Sequence, residues 1–299
     1  MGIFMENISS KEKKQHGSLS IPYSYYECHI PEYFPFVPLH WHKEFEINYI
    51  ISGKGRFTYG NKSFVTGEGD IIIVLPGKLH AIYPYGDFNQ VYDTLVFREE
   101  MLSANKEERS FISCISPMIN GNCDIAAPVT RADKFYCEIK KCVEQVFTNM
   151  KKNTPVADLH MKSALLYLIC LLEENGIIKT IKKQDDRTVA GIRSALVFIN
   201  QNYMENISTG QLAEIVHLSK SYFMYCFKKA TGTSVIEYVI QLRIKNACTM
   251  LRNTSASSTE TAYACGFRNL SNFNRQFKKY TGYTPKQYRQ LYKSFQPPR

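Results

Sequence analysis

The chain lacks the marks of a secreted or membrane protein. No apolar run reads as long enough to cross a bilayer, and Met1 to Gln15 is polar, without the apolar core of a secretory leader. No Cys-x-x-Cys occurs. The nine cysteines are odd in number, and Cys142, Cys170 and Cys226 fall within apolar helical patterns, which predicts reduced, buried thiols rather than a disulfide framework. Low-complexity tracts are missing as well, so the 299 residues are expected to be globular and to form more than one domain. The expectation is a cytoplasmic protein without a membrane partner.

Acidic residues are scarce in one part only. Residues 1–184 carry 21 Lys+Arg against 21 Asp+Glu, whereas residues 185–299 carry 16 against 6, so the whole net charge of +10 lies in the C-terminal part. Such asymmetry points to a nucleic-acid partner, the bland alternative being a solubilising basic surface.

The basic part also repeats itself. Phe227-Lys228-Lys229-Ala230-Thr231-Gly232 recurs as Phe277-Lys278-Lys279-Tyr280-Thr281-Gly282 at an offset of 50, with Ser234 matched by Thr284 and Tyr238 by Tyr288. In the first copy Ser208 and Gln211 have the spacing of a capping box and Ser219 can cap a following helix. Phe223, Cys226, Phe227 and Ala230 make that helix's inner stripe, and Gly232 stops it. Ser234 and Glu237 open a third helix. Its apolar positions run without a break from Val235 to Arg252 through Ile236, Ile240, Ile244, Ala247 and Leu251. The second copy has the inner stripe Phe273, Phe277 and Tyr280, the stop Gly282 and the cap Thr284-Pro285-Lys286-Gln287. Two helix-turn-helix units on a strut about 27 Å long can reach successive major grooves, which recur about every 34 Å.

These residues carry a resemblance. Residues from about Thr188 to Tyr292 look like the DNA-binding domain of the AraC/XylS family of bacterial transcription regulators. The signature is Arg243-x3-Ala247-x3-Leu251, Cys265-Gly266-Phe267, Phe273-x3-Phe277-Lys278-Lys279 and Gly282-x2-Pro285-x2-Tyr288-Arg289. The resemblance implies double-stranded DNA as a partner. It places Lys220, Ser221, Tyr222, Met224 and Tyr225 of the first recognition helix on the DNA, with Leu270, Ser271, Asn272, Asn274 and Arg275 of the second; Lys228, Lys229, Lys278 and Lys279 are better placed for phosphates, the alternative being simple solvation. Arg275 can bind guanine through two bonds and Asn272 or Asn274 can pair with adenine, so hydrogen-bonded base reading is expected mainly in the second helix. One departure stands out. Ser258 and Thr261 replace the aliphatic residues usual in the first helix of the second unit, which predicts looser packing there.

Upstream, residues from about Leu19 to Phe97 read as short strands: Glu46 to Ile51, Arg56 to Tyr59, Lys62 to Val65, Asp70 to Leu75 and Val91 to Phe97. Turn signals separate them at Ser52-Gly53-Lys54-Gly55, Gly60-Asn61, Gly67-Glu68-Gly69 and Pro76-Gly77. Two helical patterns follow. The first holds Phe135, Ile139, Cys142, Val143, Val146 and Met150; the second, after Pro155, holds Leu165, Leu168, Ile169 and Leu172. The predicted organisation is a β-domain over 17–115, a helical packing or dimerisation segment over 130–175, a linker over 176–187 and the DNA-binding domain over 188–293. The fold class is a multidomain α+β chain whose C-terminal domain is all helical.

His40-Trp41-His42, Glu46, Gly53 and His80 after Pro76-Gly77 resemble the two cupin motifs, which implies a cupin-like barrel for the N-terminal domain. His-x-His puts both imidazoles on one strand face, Glu46 shares their parity, and His80 can arrive from a neighbouring strand. Three imidazoles and a carboxylate suit a divalent transition metal; the resemblance equally implies that His40, Trp41, His42, Glu46 and His80 bind an organic effector. Tyr23, Trp41, Tyr49 and Tyr83 are candidate pocket walls. No catalytic residue and no cofactor other than such a metal is expected.

The function expected is that of a sequence-specific transcription regulator controlled by a small-molecule effector. The resemblance implies an activator with a carbohydrate-related effector; RNA polymerase is a further expected partner. The apolar stripes of the two helices, which could pack on the β-domain, on each other or on a second copy, add the expectation of a homodimer. The rival is a metal-dependent cupin enzyme fused to a DNA-binding module. An RNA-binding reading of the basic tail fits the charge but not the groove-spaced helices.

Overall fold

The computed structural model describes residues 18, 20–32, 35–60, 62–125, 127–181 and 186–293. The expected domain start at 17, Leu19, the turn residue Asn61 and linker positions 182–185 lie outside the described residues.

The N-terminal domain is a curled antiparallel sheet of seven strands: β1 (Tyr23–Ile30), β2 (Val37–His40), β3 (Phe45–Tyr59), β4 (Lys62–Gly67), β5 (Ile71–Val74), β6 (His80–Pro84) and β7 (Gln90–Phe97). The order is β1-β7-β3-β6-β2, and β4 and β5 also pair with β3. Residues 52–55, expected to be a turn, instead continue β3. The register shifts between Ile50 and Ser52, and the strand passes from pairing with β7 and β5 to pairing with β4 and β6. Gly53 makes the bend: its φ is +78°, and a Cβ there would lie 1.7 Å from the carbonyl oxygen of Asn89.

Alternation along the strands divides the apolar residues into an inside and two outsides. Inside lie Ile30, Ile50, Phe57, Ile72, Ile82 and Tyr92. One outer face, with Phe45, Ile47, Ile71 and Leu95, packs on α2 (Tyr136–Met150) and α3 (Pro155–Glu174), which follow the short α1 (Ser116–Ile119) and β8 (Cys123–Ile125). Thr154 caps α3 by accepting from the amide of Ala157. By length and composition α3 could cross a bilayer, contrary to the expectation for the chain; its inner side is instead packed in the domain core.

Both ends of the predicted linker lie in regular structure: β9 (Ile178–Thr180) pairs with β8, and Asp186 begins α4 (Asp186–Asn202). The helical domain continues with α5 (Thr209–Ile215), α6 (Lys220–Thr231), α7 (Val235–Asn253), α8 (Ser258–Ala264), α9 (Leu270–Thr281) and α10 (Pro285–Lys293). It is seated on the sheet's second outer face. Leu39 and Ala81 join Ile192, Leu196, Phe223 and Tyr238 in one core, and Phe36 joins Ile244, Phe273 and Phe277 in another.

Candidate functional site

The two helix-turn-helix units form by the same local rules. Ser219 caps α6 through the amide of Tyr222, and Asn269 caps α9 through that of Asn272; each such cap is worth about 1 kcal/mol. Gly232 and Gly282 end the two helices in the left-handed conformation. Phe223, Phe227, Phe273 and Phe277 are fully buried, at about 1.5–3 kcal/mol each. The departure in the second unit does not loosen it. Thr261 is 0 % exposed and its hydroxyl donates to the carbonyl of Ser257 at 2.8 Å, so no polar atom of its side chain is left bare in the core. Ser257 and Glu260 add a reciprocal capping box.

Opposite the phenylalanines, α6 exposes Lys220, Ser221, Tyr222, Met224, Tyr225 and Lys228, and α9 exposes Ser271, Asn274, Arg275 and Lys278. Leu270 differs, being half-buried against the core of the second unit. Asn272 is half-buried and accepts from Arg275 at 3.1 Å, so the two present one joint polar surface. Lys279 is not a spare cation. It donates to Glu237 at 2.8 Å, and Tyr280 donates to the same carboxylate. Glu237 therefore joins the start of α7 to the end of α9 rather than completing a capping box. These hydrogen bonds, that of Lys279 first, hold its carboxyl below the usual carboxylate range.

The family-like signature residues are mostly scaffold. Arg243 donates to the carbonyls of Tyr203 and Glu205 at 2.7 and 2.8 Å and lies over Phe267. Arg289 donates to the carbonyls of Leu251 and Ala256.

In the sheet, His40, His42, Glu46 and His80 converge, with their ligand atoms all within 4.8 Å of one another. His42 Nε2 lies 2.8 Å and His80 Nε2 3.4 Å from Glu46 Oε2. The outer nitrogens are all committed to backbone carbonyls: Nδ1 of His40 to Pro38, of His42 to Glu44 and of His80 to Lys78, at 2.9 to 3.1 Å. A carbonyl only accepts, so each Nδ1 carries a proton and each Nε2 is turned to the cup, where it donates to Glu46 while protonated and offers its lone pair to a metal once that proton is released. Asn48 donates to the other oxygen of Glu46 at 2.7 Å and accepts from Thr94 at 2.6 Å. Burial alone would raise Glu46, but the charge of His80 and the hydrogen bonds from His42 and His80 outweigh it and hold the carboxyl well below its ordinary value. The donor set and its outer hydrogen bonds fit a divalent transition metal.

The expected pocket walls are elsewhere. Trp41 sits on the other strand face, where Arg193 of α4 lies over its ring at 5.1 Å. Tyr23 donates to Asp158 of α3, Tyr49 packs on Phe147 of α2, and Tyr83 donates to Gln241 of α7. Side-chain parity could have excluded Tyr23, Tyr49 and Tyr83 from the cup. Nothing in the sequence signals Phe36, Arg193, Tyr238 or Gln241 as contacts between the domains.

Two helix-turn-helix units on a common strut, seated on a β-domain with a buried cup of three imidazoles and a carboxylate, define a DNA-binding protein with an attached second domain. A family profile described as a helix-turn-helix domain matches residues 212–291, and one described as an AraC-like ligand-binding domain matches residues 25–169. The chain belongs to the AraC family of DNA-binding transcription regulators with an N-terminal ligand-binding domain. It is 26 % identical over 250 residues to the Msm operon regulatory protein of Streptococcus mutans, covering 81 % of this chain and 83 % of that one. It is 24 % identical over 261 residues to the transcriptional activator RhaR of Mannheimia succiniciproducens, covering 86 % and 88 %. In fold it is similar to ToxT of Vibrio cholerae, with a TM-score of 0.50 at 13 % identity over 91 % of this chain and 99 % of that one.

Proposed function

We propose that this regulator activates transcription in the cytoplasm in response to a divalent transition metal ion held by His40, His42, Glu46 and His80. The carrying observation is that three Nε2 atoms and one carboxylate converge within 4.8 Å while every Nδ1 proton is spent on a carbonyl. That span suits one ion. A carbohydrate-related effector, suggested by the resemblance, fits this cup less well, because Ile50, Phe57, Ile82 and Tyr92 make the interior of the same sheet apolar. The name of one relative as an activator supports the sign of regulation. A metal-dependent enzyme would share the donor set, but it gives the paired recognition helices no role; we read the cup as a sensor without turnover.

The reading includes a homodimer formed through the outer side of α3. Val156, Leu159, Ser163, Leu166 and Cys170 are exposed at alternating steps of three and four residues, the spacing of a helix-pairing seam, with Tyr167 beside them. Cys170, expected to be buried, is on this seam. A second copy of the chain offers the same apolar stripe in a two-fold pairing. Contact with RNA polymerase would follow from bound dimers at promoters.

The test is elemental analysis of protein purified without an affinity tag, beside the variant Glu46→Gln/His80→Ala. About one metal ion per chain is expected in the wild type and far less in the variant. Substoichiometric metal in the wild type after gentle preparation and reloading sinks the metal reading.

A further inference from the structure

We infer that the cup's output is the seat of the DNA-binding domain on β2 and β6, so that an ion in the cup sets the arrangement of both helix-turn-helix units through the opposite faces of the same two strands. The inference rests on the metal reading above and adds how the occupant is read.

The two strands are two-faced. On β2 and the residues just after it, His40 and His42 point into the cup while Leu39 and Trp41 meet the helical domain. On β6, His80 points into the cup, and Ala81 and Tyr83 face the helices. His40 and His80 are paired directly across the two strands. A ligand that draws His40, His80 and Glu46 toward one point therefore acts on residues one peptide unit away from the interdomain contact.

Those contacts reach both units. For the first, Tyr238 of α7 donates to the carbonyl of Leu39 at 3.3 Å, and Arg193 of α4 donates to that of Gly77 at 2.9 Å while covering Trp41. The amide of Gly77 in turn donates to the carbonyl of His42 at 2.7 Å, so Arg193 is two hydrogen bonds from a cup ligand's backbone. For the second unit, Phe36 meets the ring of Tyr280 on α9 at 5.9 Å and stacks on Tyr83 at 5.7 Å. Tyr83 donates to Gln241 in the middle of the strut. One short stretch, Phe36 to Trp41, thus touches both units.

The seat does not cover the reading residues: Tyr222, Tyr225, Asn274 and Arg275 remain exposed. Control by simple occlusion is therefore not what this arrangement offers. What the seat can set is the relative placement of the two recognition helices, which must match the groove repeat of about 34 Å to bind together. An occupant shifts that placement only by favouring one arrangement over another.

Trp41 is the chain's single tryptophan, and it lies between two cup ligands. Zinc ion is the probe, since its filled d shell does not quench indole by itself. Purified, metal-stripped full-length protein is titrated with zinc while bound metal, Trp41 emission and amide exchange in α4 and α7 are followed. The expected result is saturation at one equivalent, a shift in emission reversed by chelator, and exchange in both helices slowed at least about threefold. The variant Arg193→Ala/Tyr238→Phe should still take up one equivalent but lose the slowing. Uptake with an emission shift and unchanged exchange in α4 and α7 overturns the coupling and leaves the metal site standing. No uptake at all overturns the metal site and the coupling with it. Slowing that persists in the double variant overturns the route through β2 and β6.

Discussion

Replacing Gly266 by alanine tests how the two DNA-binding units are held to one another. Gly266 lies between α8 and α9 with φ +83°, and a Cβ there would stand 2.6 Å from both the Cα and the carbonyl oxygen of Met204. These are backbone atoms, and they cannot swing aside as a side-chain tip would. Nor can the segment retreat easily, because Arg243 holds the carbonyls of Tyr203 and Glu205 on either side of Met204. The left-handed backbone alone costs alanine about 1–2 kcal/mol. The steric conflict adds about 1–3 kcal/mol of overpacking. Gly282 is the control: its φ is +77° and a Cβ there meets nothing within 4 Å, so Gly282→Ala carries only the backbone cost. Equilibrium urea unfolding of the two variants should differ by about 1–3 kcal/mol, with Gly266→Ala the weaker. DNA affinity should fall further in Gly266→Ala, since the second unit must move to make room. Equal destabilisation of the two variants would refute the close approach to Met204 as the reason for glycine.

Arg275→Ala should cost about 1–3 kcal/mol at operators carrying its base and relax selection at that position, measured by binding to a randomised site library; uniform weakening at every sequence would make Arg275 a phosphate contact. Leu159→Glu/Leu166→Glu should convert a dimer to a monomer in analytical ultracentrifugation without altering the fold; an unchanged sedimentation coefficient removes α3 as the interface. Glu237 is held below its ordinary value of 4.5 by Lys279 and Tyr280, so its stabilising contribution is present above about pH 4.5 and is lost as pH falls through the lower folded value. Melting temperatures recorded from pH 6 to pH 3 should therefore fall less steeply for Glu237→Gln than for the wild type, and parallel curves would contradict the assignment.

How much could be read from the residues depends on the distance over which each feature is decided. Ser208, Ser219 and Ser234 cap their helices as their spacing indicates, because a cap is settled within three residues. The convergence of His40, His42 and Glu46 follows from strand parity. The seat of the helical domain does not, since Tyr238 and the carbonyl it bonds on Leu39 are 199 residues apart in the chain. Nor does the passage of β3 through two glycines, where turn chemistry and a bulge look alike until the partner strand is known. Thr261 misled in a different way. Its polarity suggested loose packing, but a hydroxyl bonded back along its own helix leaves a methyl group for the core.

The internal repeat makes the same point about where information lies. The residues the copies share are structural: Phe227 and Phe277 are buried, and Thr231 and Thr281 each donate to the carbonyl four residues earlier. The residues they do not share are of two kinds. Tyr225 and Arg275 stand at equivalent exposed positions and differ in what base edges they can meet. Ala230 and Tyr280 also stand at equivalent positions, but this pair faces away from the reading surface. Ala230 packs on the first unit's core, whereas Tyr280 reaches Glu237 and the ring of Phe36 in the β-domain. Divergence on the exposed side of the helix falls where the proposed DNA contacts lie. Divergence on the other side gives the second unit a contact with the sensor that the first copy, with alanine there, makes by other residues.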